Sequence, residues 1–191
     1  MEELFIENQT YDKVDFKTIP LKKGEYENCT FNSCDFTNAD FSGMVFVDCK
    51  FIGCNLSLVK LTKTALRDIK FKDCKIAGVH FDNCNEFGLA FSFENCSLNH
   101  CVFYQAKIIK TIFKNSKLQE TDFTECDLSG SVFDNCDMTR AIFKNTILEG
   151  VDFRTSYNYS IDPAGNKIKK AKFSSPGVIG LLDKYNIEIE K

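Results

Sequence analysis

The sequence lacks any long apolar run, and it lacks a basic segment at its start. A membrane-spanning helix needs about 18 consecutive apolar residues, and no stretch approaches that length. The first nine residues, MEELFIENQ, contain neither the basic region nor the apolar core of a signal peptide. These absences argue against a membrane or secreted protein and predict a soluble protein of the cytoplasm.

An excess of positive charge is also missing. The chain has 24 Lys and Arg against 27 Asp and Glu, a formal net charge of −3. General nucleic-acid binding needs a basic surface that releases counterions, so we expect no direct nucleic-acid partner. Residues 1–153 carry 17 basic and 23 acidic side chains, a net of −6, whereas residues 154–191 carry 7 and 4, a net of +3. An acidic body thus precedes a basic tail.

Groups for catalysis are scarce. The only histidines are His80 and His100, and neither forms a Ser–His or Cys–His pattern. Walker A and dinucleotide motifs are absent. Cys96, His100 and Cys101 are closely spaced, but the repeat described next directs the two cysteines inward and the histidine outward, which disfavours a metal site. We predict a non-enzymatic protein with no cofactor and no metal.

What the sequence does contain is a large apolar residue at every fifth position. The spacing holds at eleven consecutive positions from Phe31 to Phe81 and at thirteen from Phe93 to Phe153. Two residues before each one stands a second apolar or small residue. A period of five matches neither a helix, at 3.6, nor a strand, at 2. The chain must therefore turn once per repeat and direct the large residues toward a common axis.

Motifs such as CDFTN, ADFSG, CDLSG and VDFRT resemble the pentapeptide-repeat family over roughly residues 14–153. The resemblance implies an all-β fold, a right-handed quadrilateral parallel β-helix with four repeats per coil. In the second run Phe alternates with Leu, Ile or Met, which predicts Phe ladders on two opposite sides. The repeats from Phe16 to Phe153 make about seven coils, and ~4.8 Å per coil gives a rod about 34 Å long.

The register breaks between Phe81 and Phe93, which are twelve residues apart. We predict an irregular step at residues 82–92 in which Phe87 also points inward. Two six-residue steps would then each carry one extra residue, as in a β-bulge eased by Gly88.

Both ends of a solenoid need covering. Residues 1–13 are predicted to cap the first coil, and residues 154–191 to form a C-terminal cap. In this tail SSPGVIGLLDKY predicts a short helix capped by Ser174 or Ser175, and NIEIE predicts a strand. The tail resembles the dimer module of quinolone-resistance (Qnr-type) proteins, which implies an end-to-end homodimer; a monomeric cap is the alternative. The predicted dimer interface consists of Val178, Ile179, Leu181, Leu182, Ile187 and Ile189.

Two residue classes have alternative interpretations. Nine of the ten cysteines occupy the small inward position and Cys84 lies beside the irregular step, so we expect buried, reduced packing residues rather than disulfides. The acidic residues that precede large positions either bond within turns or line one side as a charged stripe. They include Asp15, Asp35, Asp40, Asp122 and Asp152.

Two functions remain open. The Qnr-type resemblance implies a DNA mimic that interacts with DNA gyrase and topoisomerase IV and protects them from fluoroquinolones. The modest acidity of the body weighs against it, and the step at 82–92 is too short for the projecting loops of some Qnr-type proteins. The alternative is a scaffold or immunity factor with another protein partner. An acidic stripe along the rod would favour the first function, and mixed charge on all four sides the second.

Overall fold

The computed structural model describes residues 4–190, and its backbone consists of short parallel β-strands separated by turns. Residues 1–3 of the predicted N-terminal cap and Lys191 of the tail lie outside the described residues. The strands are β1 (Phe5–Glu7), β2 (Thr10–Asp12), β3 (Glu25–Glu27), β4 (Thr30–Asn32), β5 (Val45–Val47), β6 (Lys50–Ile52), β7 (Ala65–Arg67), β8 (Ile69–Lys72), β9 (Phe91–Glu94), β10 (Ile112–Lys114) and β11 (Val132–Asp134). Single 3-10 turns occupy Phe81–Asn83, Gly177–Leu181 and Asp183–Tyr185.

Every strand pair is parallel and joins residues one coil apart. Phe51 of β6 pairs with Phe31 of β4 and with Phe71 of β8. One sheet has the order β1-β3-β5-β7, and the other has the order β2-β4-β6-β8-β9-β10-β11. The seven strands of the second sheet lie at seven successive levels separated by six turns of the chain. The predicted right-handed parallel β-solenoid is confirmed.

Isolated β-bridges complete the other two sides of each coil. Asp15 pairs with Asp35 on one of them, and Asp122 pairs with Ile142 on the other. The chain therefore visits four sides in turn. We number the sides by the inward residues of one level: side 1 at Tyr26, side 2 at Phe31, side 3 at Phe36 and side 4 at Phe41.

Stacked side chains fill the interior. On side 2 the ring centroids of Phe71 and Phe93 are 5.1 Å apart, and on side 4 those of Phe103 and Phe123 are 5.2 Å apart. Leu118, on the intervening side 3, is fully buried. The predicted Phe ladders on two opposite sides are thus confirmed, and they bury most of the apolar surface that stabilises the fold.

The corners between sides depend on left-handed backbone. The second residue after a large inward residue commonly has a positive φ, as at Asn95 (54°) and Asn115 (49°). Asn and Asp tolerate this region better than other residues with side chains, because their short polar groups bond locally. The polar end of each pentapeptide therefore specifies the turn, and its apolar positions specify the core.

The irregular step at residues 82–92 differs from the prediction. Phe87 is 77% exposed, so its predicted inward position was wrong. The ring of Phe91 is buried instead, with its centroid 5.3 Å from that of Phe81 and 5.2 Å from that of Phe93. Phe91 stands two residues before Phe93, where other levels have a small or β-branched residue. Leu89 of the same loop also packs against the core, so Phe91 and Leu89 are the apolar residues of this step that turn inward, and Phe87 points outward. The column from Phe71 to Phe93 is continuous, as predicted.

The regular stacking continues toward both ends. Tyr11 stacks on Phe31 with centroids 5.0 Å apart, and Phe173 stacks on Phe153 at 5.4 Å. Beyond Phe173 the predicted helix is present as two 3-10 turns, and Ser174 Oγ accepts a hydrogen bond from the N–H of Gly177 at 3.1 Å.

The predicted strand in NIEIE was wrong, since residues 186–190 have no strand pairing. Alternating isoleucines alone do not make a strand without a neighbouring strand to pair with.

Candidate interaction surface

The two histidines lie at the surface, each beside one carboxylate. His80 Nδ1 lies 3.2 Å from Asp82 Oδ1, and His100 Nδ1 lies 3.4 Å from Glu120 Oε2; both imidazoles are mostly exposed. Cys101 is fully buried while His100 points to solvent, as predicted. Within residues 4–190, no group of three or more His, Cys, Asp or Glu side chains is placed to hold a metal ion.

All ten cysteines are free and buried, which confirms their predicted inward positions. Eight of the ten thiols donate to a backbone carbonyl of the preceding level. Cys54 Sγ and Cys74 Sγ, for example, donate to the carbonyl oxygens of Phe31 and Phe51, both at 3.2 Å. Burial raises the pKa of the Cys84 and Cys101 thiols to about 12. These two thiols therefore act as packing groups and not as nucleophiles at neutral pH.

The aspartates before the large residues stabilise corners. Asp40 Oδ1 accepts the N–H of Ser42 at 2.9 Å, and Asp122 Oδ1 accepts the N–H of Thr124 at 2.8 Å. Hydrogen bonds from Lys17 and Thr37 lower the pKa of Asp35 to about 2. The same two-residue bond recurs on different sides of the rod. Of the two interpretations, bonding within turns is therefore the one that the geometry supports.

Charges of both signs alternate along the corners. Lys72 Nζ and Lys114 Nζ lie 3.6 Å and 3.8 Å from the carboxylate of Glu94, which stands at the level between them. Arg140 Nη1 likewise lies 3.5 Å from Glu120 Oε1 of the adjacent level. These pairs connect adjacent levels, so neither of these corners of the described rod carries a continuous acidic stripe.

Acidic side chains cluster along one corner near the start of the chain. A groove of about 440 Å³ at the corner between sides 1 and 2 spans the first four levels. Its carboxylates belong to Glu7, Glu27, Asp48 and Asp68, and Lys50 and Lys70 stand beside them. Even here the two signs are mixed.

The predicted dimer residues of the tail divide into two groups. Val178, Ile179, Ile187 and Ile189 are 43–55% exposed, whereas Leu181 packs against the core and Leu182 is partly buried. The tail is attached to the rod through Tyr159. A Cβ added at Gly180 would lie 2.2 Å from the Tyr159 carbonyl oxygen, so only glycine fits this approach.

Phe87 lies at the surface, although the repeat pattern predicted an inward position for it. It has the highest exposed fraction of the large apolar side chains in the described chain. The ring lies over the Arg67 guanidinium, whose carbon is 5.7 Å from the ring centroid. The available signal was Phe91, a large residue in a position otherwise occupied by small ones, which shows that the interior space was already filled.

Within the described chain, none of the helical turns has the length and apolar character that crossing a bilayer requires.

Comparisons with known proteins agree with this architecture. The family model described as a pentapeptide repeat region matches residues 25–92 and 90–158. A solved structure of trypsin-treated QnrB1, a plasmid-mediated fluoroquinolone resistance protein, is 18% identical with a TM-score of 0.63, covering 99% of this chain and 100% of that one. Full-length QnrB1 is 18% identical with a TM-score of 0.56, covering 96% of this chain and 100% of that one. No curated protein sequence matches the chain.

Proposed function

The chain belongs to the pentapeptide-repeat family, and from this premise we propose that it is a non-enzymatic rod that binds another protein through its outward side chains. One observation carries the proposal: the cysteine and aspartate side chains described above pack in the core or bond within turns. The thiols are buried and the outward aspartates bond within turns. A rigid, varied lateral surface remains, and such surfaces serve binding in solenoid proteins.

The test is a pull-down from the native cell lysate with the full chain as bait and an unrelated solenoid protein of similar length as control. We expect one or a few proteins enriched by the chain alone. The proposal fails if no protein is enriched over the control.

DNA gyrase and topoisomerase IV are the first partners to test, with protection from fluoroquinolones as the consequence. The support is the similarity in fold to QnrB1 along the whole chain. This partner requires the cytoplasmic location that the sequence predicts. In a gyrase supercoiling assay with ciprofloxacin, the chain should restore supercoiled product in proportion to its concentration. Absence of both rescue and inhibition over a wide concentration range would reject a topoisomerase partner.

The charge pattern favours the second candidate, a scaffold or immunity factor with another partner. Opposite charges alternate at successive levels, as in Lys72, Glu94 and Lys114. Duplex DNA presents negative charge at every level, so imitation of DNA needs a continuous acidic face. Mixed charge instead suits recognition of one protein surface through local contacts. A partner other than a topoisomerase in the pull-down would decide for this candidate.

We also propose that the tail joins two chains end to end. The exposed side chains of Val178, Ile179, Ile187 and Ile189 support this homodimer, since clustered apolar groups at one end of a rod favour self-association. Light scattering should give a molar mass of two chains for the wild type. Ile179→Asp should reduce the measured mass to that of one chain. The matched control is Ile142→Asp, because Ile142 is 47% exposed on side 4, away from the tail. A wild-type protein that remains monomeric at high concentration would reject the dimer.

A further inference from the structure

We propose that Phe87, supported by Arg67, is the principal contact point for the protein partner and inserts into an apolar pocket that offers a carboxylate to Arg67. This inference depends on the proposed binding function, and it names the site through which that function acts.

The loop that presents Phe87 is fixed at both ends. Asn85 N–H donates to the Thr64 carbonyl at 2.9 Å, and Ala90 N–H donates to the Leu66 carbonyl at 2.9 Å. Between these anchors, Asn85 Oδ1 accepts the N–H of Phe87 at 2.9 Å. An aromatic ring held in place before binding loses little conformational entropy on association, so it can contribute strongly to affinity.

Arg67 supports the ring from below. Gly88, with φ +72°, lies against the Arg67 side chain, and an added Cβ there would be 3.5 Å from Arg67 Cγ and Nε. Nε of Arg67 is buried and has no hydrogen-bond partner among the described residues. The guanidinium makes no salt bridge within residues 4–190, although Arg is the side chain best suited to hold a carboxylate through paired hydrogen bonds.

The surroundings indicate the chemistry of the partner. Above the loop, side 1 continues with Lys107, exposed Ile109 and Lys110. On the level below the loop, the backbone N–H of Lys63 donates to the Asn83 carbonyl. With Arg67, these are four basic side chains. Four acidic side chains stand beside them, because Glu86 belongs to the loop, Asp82 precedes Asn83, Asp68 follows Arg67 and Asp127 is bridged to Lys107. The charges around the loop therefore balance, and the group that selects a partner is the Arg67 guanidinium, which a carboxylate at the edge of an apolar pocket would complement.

A protein partner is favoured over nucleic acid. A single exposed aromatic ring and four basic groups could stack on a base and contact phosphates. However, the acidic groove of the first four levels lies on the same side of the rod, next to Arg67, and would repel an extended phosphate backbone.

The site also interrupts the fold. The sheet of side 1 ends at β7, and no strand pairs above it in the described chain until the bridge between Lys107 and Asp127. A regular pentapeptide at this level would have added backbone pairing and buried its large residue. The sequence instead exposes a phenylalanine here, in a chain whose other stacked phenylalanines are nearly all buried.

The experiment has two stages. First, benzoylphenylalanine replaces Phe87 in one variant and Tyr104 in another, and each full-length protein is irradiated in native lysate and with purified gyrase and topoisomerase IV. Tyr104 is the control because it is 39% exposed on side 4. A covalent protein adduct should form at position 87 and exceed any adduct at position 104.

Second, the protein found in the adduct is purified and its Kd is measured. Phe87→Ala should weaken binding about tenfold or more, which corresponds to a central interface residue. Arg67→Lys should weaken it less, since it keeps the charge and loses the planar group. Tyr104→Ala should change Kd by about twofold or less. Since Phe87 is outside the core, Phe87→Ala should melt at nearly the wild-type temperature.

The inference is overturned if position 87 gives no more adduct than position 104, if the adduct contains nucleic acid, or if Phe87→Ala binds like the wild type. An adduct at position 104 alone would leave the binding function standing and reject only the Phe87 site. Absence of adducts at both positions, together with no enrichment in the pull-down, would reject both.

Discussion

The rings of Phe113 and Phe133 lie nearly parallel, with centroids 4.7 Å apart and planes 4° from each other. Their backbones are paired in register between β10 and β11. Each ring therefore packs against the ring of the next level, and the side chain of one level sets the position of the side chain stacked on it.

Removal of one ring from this column should destabilise the whole rod. Phe113→Ala leaves a cavity between fully buried rings, and we expect a loss of about 3–5 kcal/mol in the free energy of unfolding. Urea denaturation followed by circular dichroism measures it. Tyr104→Ala, on the outside, should change stability by less than about 0.5 kcal/mol. Equal losses in the two variants would contradict the ladder model of the core.

The corner aspartates should act as hydrogen-bond acceptors and not as charges. Asp122→Ala removes the acceptor for the Thr124 N–H, and we expect a loss of about 0.5–1.5 kcal/mol. Asp122→Asn keeps an oxygen in the same place, as Asn55 does for the N–H of Ser57, and should be almost neutral. If the Asn variant is as unstable as the Ala variant, the charge and not the acceptor matters here.

Asp35 should contribute to the acid sensitivity of the fold. Its pKa is lowered to about 2 by Lys17 and Thr37, against about 3.9 in the unfolded chain. Because the folded pKa is the lower one, the stabilisation is complete above about pH 4 and is lost as the pH falls toward 2. Thermal melts of wild type and Asp35→Asn should therefore differ most above pH 4 and converge near pH 2.

Lys17→Ala offers a check on the origin of that effect. Lys17 Nζ lies 2.7 Å from Asp35 Oδ2, and its removal should reduce the same pH-dependent difference in melting temperature. A difference between wild type and Asp35→Asn that persists at pH 2 would show that the side chain stabilises the fold by another route.

The tail should detach without unfolding the solenoid when Gly180 is replaced. In Gly180→Ala the new Cβ would collide with the Tyr159 backbone, which cannot move without disturbing its own level. We expect tryptic cleavage in the tail to accelerate by about tenfold or more while the rod stays intact. Gly165→Ala is the control, since its Cβ would meet only the Asp162 side chain, at ordinary contact distances of 3.4 Å and more. Slow cleavage in both variants would mean that the contact with Tyr159 does not hold the tail.

The sequence predicts the column of phenylalanines because a buried position must be apolar at every level, and residues such as Phe51 and Phe71 meet that condition without exception. It predicts the inward cysteines for the same reason. It does not predict the direction of Phe87. The period shows which residues are apolar, but it does not show whether Phe87 or Phe91 lies in the interior at the irregular step. Phe91 lies there.

The candidate surface was harder to foresee. The sequence shows that the tail is rich in apolar residues, but whether Ile187 and Ile189 pair as a strand depends on a neighbouring edge that local sequence does not encode. The contact of Phe87 with Arg67 joins residues twenty positions apart, which is the ordinary spacing of adjacent levels. The predicted inward position of Phe87 instead placed it twenty-one residues after the inward Leu66, because one extra residue was assigned to the step before Phe87.

The in-register pairing of identical levels makes length an adjustable property of this molecule. Because a level contacts chiefly the levels directly above and below it, gain or loss of one complete circuit of the chain would shift everything beyond it along the axis by about 4.8 Å and restore the same neighbours. The distance between the Phe87 loop and the C-terminal tail would therefore change in steps of about 4.8 Å. Evolution could match it to the spacing of two sites on a partner by duplicating a segment, with no change to the core.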